Sequence, residues 1–248
     1  MIKSAVNNLV SALKRKGKLD EFISGCACYK KGCSGKQQEF GFAFQNILEQ
    51  FVFENGILGY RDKGNDDTGD VEFEGASIEL KTHKEARLGK EATFYSVNTS
   101  EDLLWSTAQK APLTKDVILS RERFIANPNI QKIAGIGVLV LSYDYDYTKG
   151  QLLTIDINDV LPEIASIKEE HIESRERFRF YDKNNKRIGY LIRPYDSKNQ
   201  ERGLFFNIGK FTVLHSTDVV FNDDSVRYVL GLRASALIRK HHAMEGAA

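Results

Sequence analysis

A chain of 248 residues, 42% apolar and 28% charged, has the composition of an ordinary soluble globular protein, long enough for one large domain or two small ones. No apolar run approaches the ~20 residues that span a bilayer, and Met1-Ile2-Lys3-Ser4-Ala5 lacks a signal-peptide core, so a cytoplasmic protein with no membrane partner is expected. A net charge of only +1 excludes nucleic-acid binding by bulk charge, so any such surface has to come from local clustering.

In chain order, Val6, Leu9, Val10 and Leu13 recur at i, i+3, i+4, i+7 and predict an amphipathic helix over residues 5–18. Its basic end, Lys14, Arg15, Lys16 and Lys18, suits the helix macrodipole or a phosphate backbone, and the pattern favours neither. Residues 25–35, rich in glycine, lysine and cysteine, read as a loop. Cys26, Cys28 and Cys33 lack the usual zinc pairing and would need a fourth ligand, His83 or His215, so reduced loop thiols are the better reading than a zinc site. A wide stripe of Phe40, Phe44, Ile47, Leu48, Phe51 and Val52 predicts a helix over residues 36–54, closed by Asn55-Gly56.

The stretch from Gly64 to Lys84 carries the chemistry. Residues 77–82 alternate as a strand, Ile78 and Leu80 on one face, Glu79 and Lys81 on the other. Val71 and Phe73 supply a preceding strand, with Glu74-Gly75-Ala76-Ser77 as the hairpin turn. Closing that hairpin brings Asp70 towards Glu79 and Lys81. Two carboxylates can hold Mg²⁺, which keeps several of its waters, and an adjacent ammonium can orient water or stabilise charge on phosphorus. A bare E-x-K also fits a surface ion pair; the hairpin and the helix before it favour the catalytic reading.

Asp70 followed by Glu79-Leu80-Lys81 resembles the PD-(D/E)xK nuclease superfamily, which includes most type II restriction endonucleases. Ile78-Glu79-Leu80-Lys81-Thr82-His83 is most similar to the branch containing the mismatch-repair nickase MutH and MvaI-type restriction enzymes. Gly69 stands where the family name has proline, and the resemblance covers about residues 37–84. It implies Asp70 and Glu79 as ligands of a Mg²⁺ cofactor, Lys81 as the third catalytic residue and double-stranded DNA as substrate. Gly41-Phe42-Ala43-Phe44-Gln45 resembles the helix before the catalytic hairpin, so Gln45, or Glu49 one turn later, is the expected auxiliary residue. An amide oxygen binds a metal-held water but carries no charge, hence the auxiliary role.

Residues 93–98 and 133–142 read as strands, the second nearly continuous in apolar residues and so central in a sheet. Residues 102–119, with Trp105 and Pro112, read as part helix and part loop. Residues 151–157 form a further strand and 158–166 a helix start interrupted by Pro162. Arg175, Arg177 and Arg179 alternate with Glu176, Phe178 and Phe180 as a strand paired with residues 189–193, followed by a strand at 203–208 and a basic apolar-periodic segment at 226–242. Arginine neutralises phosphates and reads guanine edges bidentately, so Arg177, Arg179, Arg193 and Arg202 are the candidate DNA-binding residues.

The expected fold is α/β, a central mixed β-sheet flanked by helices as in restriction endonucleases. One domain is expected over residues 1–248, with a catalytic core at about 37–160 and a recognition region at about 170–248. The expected function is that of a type II restriction endonuclease cutting both DNA strands at specific sites, with a cognate DNA methyltransferase protecting them. A homodimer suits palindromic sites, and monomeric cutters also occur in the similar branch. A MutH-like nickase and a non-catalytic DNA-binding protein are the alternatives.

Overall fold

Alternation of apolar residues along the strands builds two β-sheets, and the helices cover what the sheets leave open. The computed structural model describes residues 2–32, 37–63, 69–84, 94–98, 113–144, 146–172, 175–194 and 203–222. The helices α1 (Ile2–Arg15), α2 (Leu19–Gly32) and α3 (Gln37–Glu54) come first. The strands β1 (Tyr60–Asp62), β2 (Val71–Phe73), β3 (Ala76–Lys84) and β4 (Phe94–Asn98) follow. Short helices α4 (Lys115–Leu119), α5 (Arg121–Ile125) and α6 (Pro128–Ala134) lead into β5 (Gly137–Tyr143) and β6 (Lys149–Ile155). After α7 (Ile157–Val160) come β7 (Ser166–Ile172), β8 (Arg175–Tyr181), β9 (Arg187–Pro194), β10 (Gly203–Asn207) and β11 (Thr212–Asp218).

The first sheet is mixed, in the order β1-β2-β3-β5-β6-β11, with β3 and β5 parallel and the other neighbours antiparallel. The second, β4-β10-β9-β8-β7, is antiparallel throughout. On one face of the first sheet, Ile78, Leu80, Leu139, Leu141 and Leu152 pack with Val6, Leu9, Phe22, Phe44 and Phe51 of α1–α3. On its other face, Val138, Val140, Leu153 and Ile155 pack with Phe178, Phe180, Leu204 and Phe206 of the second sheet and with Phe124 and Ile130. One apolar cluster therefore joins both sheets. The α/β expectation is met, and among the described residues no helix is long and apolar enough to cross a membrane.

Several elements differ from the sequence reading for identifiable reasons. Residues 25–32 are helical, because Phe22, Ile23, Cys26 and Ala27 form a buried stripe that outweighs the loop-like composition. Cys26 is fully buried, which pushes its thiol pKa up, and Cys28 is half-buried on the same helix. His83 is on β3, and His215 on β11 lies 2.6 Å from Asp20. Cys33 lies outside the described residues. The central strand begins at Gly137 instead of residue 133, because Asn127 caps a helix with Pro128 at its first position. Its seven residues are buried on both faces, as expected. Ala76 and Ser77 belong to β3, leaving Glu74-Gly75 as a two-residue turn with φ of 51° and 79°. Both residues of a type I′ turn need φ > 0, and Asn8 of α1 donates to Glu74 Oε2 at 2.8 Å. The expected basic segment 226–242 and Trp105 lie outside the described residues.

Phe180 tests the shared core. It is fully buried, with Phe124 at 5.2 Å and Phe206 at 6.4 Å between ring centroids. Phe180→Ala should destabilise by about 3–5 kcal/mol while leaving a single unfolding transition in calorimetry. Two separated transitions would mean that the sheets are independent units.

Candidate active site

Asp70 enters the site through an unusual backbone. Gly69 has φ of +110°, and a Cβ there would stand 3.0 Å from the Ile78 carbonyl oxygen. Proline, locked near φ −65°, cannot adopt this conformation, which explains its absence before the acidic residue. Asp70 is then tied to both neighbouring strands. Its N–H donates to Ile78 O at 3.0 Å, its carbonyl accepts from Lys63 N at 3.1 Å, and its Oδ2 accepts from Leu80 N at 2.6 Å.

Glu79 and Lys81 follow on β3, on the face opposite Ile78 and Leu80. They stand in register with Val138 and Val140 of β5, so they point to the side on which the second sheet packs. Glu79 is 9% exposed, and Lys81 is ion-paired with its Oε1. Burial and the Glu79 charge push the Asp70 carboxyl up to about 6, against the pull of Lys81 and the Leu80 N–H. The hairpin thus brings Asp70, Glu79 and Lys81 together, as the sequence predicted. His83, next on the same face, is held at about 4 by burial and is neutral at pH 7.

Gln45 of α3 touches the backbone of Asp70, not its carboxylate. Its Nε2 donates to Asp62 Oδ1 at 2.8 Å and to the Asp70 carbonyl at 3.5 Å. Asp62 and Tyr60 of β1 were not anticipated. Asp62 adds to the raised pKa of Asp70, and the phenol of Tyr60, with a buried hydroxyl, is pushed above its usual range by burial and by Glu49, Asp62 and Asp70. The one signal in the sequence was the Tyr60-x-Asp62 alternation, too short to stand out. Among the described residues, no three His, Cys, Asp or Glu side chains are grouped to hold a metal. Asp70 and Glu79 supply two carboxylates, within the one or two that commonly hold a cation which keeps its own waters.

The arginines lie elsewhere. Phe178 and Phe180 of β8 face the shared core, so Arg177 and Arg179 occupy the outer face of the second sheet. Arg179 grips Glu170 with two nitrogens, at 2.9 and 2.5 Å. Arg177 is 3.5 Å from the same carboxylate, over the Tyr190 ring at 5.2 Å. Tyr190 in turn stacks on Phe205 at 4.7 Å. Arg202 and the side chain of Arg193 lie outside the described residues. No protein-family model matches this chain, and comparisons with curated proteins and with solved structures give no match.

Two substitutions probe the site without reference to activity. Gly69→Ala forces a Cβ against β3 in a backbone region closed to L-residues, so it should cost roughly 1–3 kcal/mol in denaturant unfolding. A neutral result would mean the turn relaxes freely. Asp70→Asn should act oppositely. A carboxyl with a folded pKa near 6 and an ordinary value of 3.8 binds its proton more tightly when folded. Stability is therefore fullest below about pH 4, falls as pH rises to about 6, and stays lowered above that. Asp70→Asn should raise the melting temperature at pH 8 by several degrees and bring no gain at pH 4. An equal change at both pH values would show that Asp70 is not under this strain.

Proposed function

We propose that the protein is a Mg²⁺-dependent endonuclease that hydrolyses phosphodiester bonds in double-stranded DNA at specific sequences, a type II restriction endonuclease with the corresponding fold. The observation that carries this reading is the convergence of Asp70, Glu79 and Lys81 at the open end of one hairpin. The order of a helix bearing Gln45, a hairpin and a parallel β3–β5 pair supports it.

The donor set fits a divalent cation. Asp70 and Glu79 are near enough for one charge to raise the proton affinity of the other, and a dication relieves that repulsion. Held by Asp70 and Glu79, Mg²⁺ supplies polarisation of a phosphoryl oxygen and a more acidic water. The chain does the positioning. The Leu80 N–H fixes the Asp70 carboxylate, and β3, clamped between β2 and β5, fixes Glu79. Lys81 carries the positive charge that meets the charge building on the pentavalent phosphorus. Its ion pair with Glu79 keeps the ammonium poised at this position before substrate arrives.

Discrimination between sequences cannot come from groups that touch a phosphate common to all DNA. It is assigned to the region at about 170–248, with Arg177 and Arg179 as the described candidates. Glu170 neutralises one of their two charges and sets their geometry in advance. The double Ala variant should therefore lower the salt dependence of DNA binding by about one unit of slope and not two. An unchanged slope would remove these arginines from the interface.

The defining experiment incubates the protein with plasmid DNA and Mg²⁺ and sequences the ends. Discrete fragments sharing one terminal sequence are expected, with EDTA stopping the reaction and Ca²⁺ supporting binding without turnover. Nicked circles would mean a nickase, and a mobility shift without cleavage a binding protein. Asp70→Asn, Glu79→Gln and Lys81→Ala should each reduce cleavage at least ~100-fold, the scale of losing one transition-state stabilising group, while DNA affinity is kept. Wild-type rates in any of the three would overturn its assignment.

A further inference from the structure

We propose that Asp62 is a positioning residue of this site: through the Gln45 amide it fixes the Asp70 backbone, and so sets where the Asp70 carboxylate stands against β3. The inference deepens the hydrolytic reading of the hairpin and rests on it for its consequences in cleavage, though not for the geometry itself.

Asp70 sits at the open end of a short ladder, its backbone bonded to Ile78 O and Lys63 N and its carboxylate to the Leu80 N–H. It precedes β2, a strand of three residues, and follows Gly69 with its positive φ. The strand beyond β2 is β1, also three residues long and at the edge of the sheet. Such short ladders are weak by themselves. The anchor from outside the sheet is Gln45, which shares the Asp70 carbonyl with Lys63 N and sits on a helix of eighteen residues whose apolar stripe is buried in the core. Gln45 is therefore the rigid side of the connection.

The bridge has a direction. The Gln45 Nε2 lies 2.8 Å from Asp62 Oδ1 and 3.5 Å from the Asp70 carbonyl, so Asp62 holds the stronger contact and aims the amide. A carboxylate offers acceptors only. It therefore forces Gln45 to present its NH₂ group to this side, the orientation in which that group also meets the Asp70 carbonyl. Charge assistance strengthens the contact relative to a neutral pair. With Asp62 gone, the amide is free to rotate away from Asp70. The Leu80 N–H to Asp70 Oδ2 bond, at 2.6 Å, then has only the Ile78 and Lys63 backbone bonds behind its acceptor, without the brace from α3.

The Leu80 amide therefore reports on Asp62 without any cleavage assay. Hydrogen exchange by NMR on the metal-free protein should show at least tenfold faster exchange at Leu80 in Asp62→Ala. Ladder amides of β3 and β5 should be unchanged. Asp62→Asn, which can still accept from Gln45, should stay within threefold of wild type. Gln45→Ala should match Asp62→Ala, and the double variant should be no worse, because both remove one bridge. Calorimetry with Ca²⁺ as the probe should show at least tenfold weaker binding in Asp62→Ala. An unaltered Leu80 amide in Asp62→Ala would overturn the proposal, as would Asp62→Asn behaving like Asp62→Ala. Uniform acceleration of all ladder amides would also overturn it, since that is loss of structure and not of position. If Asp62→Ala fails to fold, Gln45→Ala carries the same test. A Leu80 response in a protein that cuts no DNA would leave the positioning role standing and refute the hydrolytic reading. Cleavage by the wild type with no Leu80 response would do the reverse.

Discussion

The approach of the Asp70 and Glu79 carboxylates across the β2–β3 hairpin is the constraint on which the rest of the structure turns, because like charges held together out of water repel. Glu79 cannot withdraw, since its strand runs parallel to β5 in register with Val138 and the residue before it, Ile78, is also paired to Val71 of β2. Asp70 cannot withdraw either, because Ile78, Lys63 and Leu80 engage its backbone and its carboxylate. The raised proton affinity of Asp70 follows first from its burial and then from the Glu79 charge held beside it. A chain selected for stability alone would remove one of the two acids. Keeping both is the compromise expected where function works against stability.

The layers explain why the acids can be held at all. The helices α1–α3 cover one face of the first sheet with apolar side chains, and the second sheet covers much of the other. Glu79 and Lys81 lie on that second face, on a strand that also touches β4, the edge strand of the second sheet. Their backbone is rigid while their polar ends remain partly open, Lys81 more than Glu79. Rigid elements carrying a few partly exposed polar groups are what a precise site requires.

Much of this was legible in the sequence, and the exceptions have physical reasons. The hairpin could be read because its alternation and the three residues Asp70, Glu79 and Lys81 fall within twelve positions. The stripe of α3 and the continuous apolar run of β5 were equally plain. β7 escaped notice because Lys168, Glu169, Glu170 and His171 carry no apolar alternation; pairing with Arg179 and Lys115 satisfies the charges of Glu170 and Glu169 after folding. β11 is a half-exposed edge strand whose pattern is correspondingly faint. Asp62 was missed because its contact with Gln45 joins β1 to α3, a pairing that local sequence does not encode. The outward placement of Arg177 and Arg179 followed from the alternation of β8, but their shared carboxylate belongs to β7, an element not foreseen.

Oxygen-18 water tests the central claim most directly. Duplex DNA, the protein and Mg²⁺ are combined in labelled water, and the new termini are analysed by mass spectrometry. Hydrolysis at a site built from Asp70, Glu79 and Lys81 places one labelled oxygen on the terminal phosphate, with labelled termini forming at least ~100-fold more slowly in Glu79→Gln. Termini without label, or labelled termini that persist undiminished in Glu79→Gln, would contradict it.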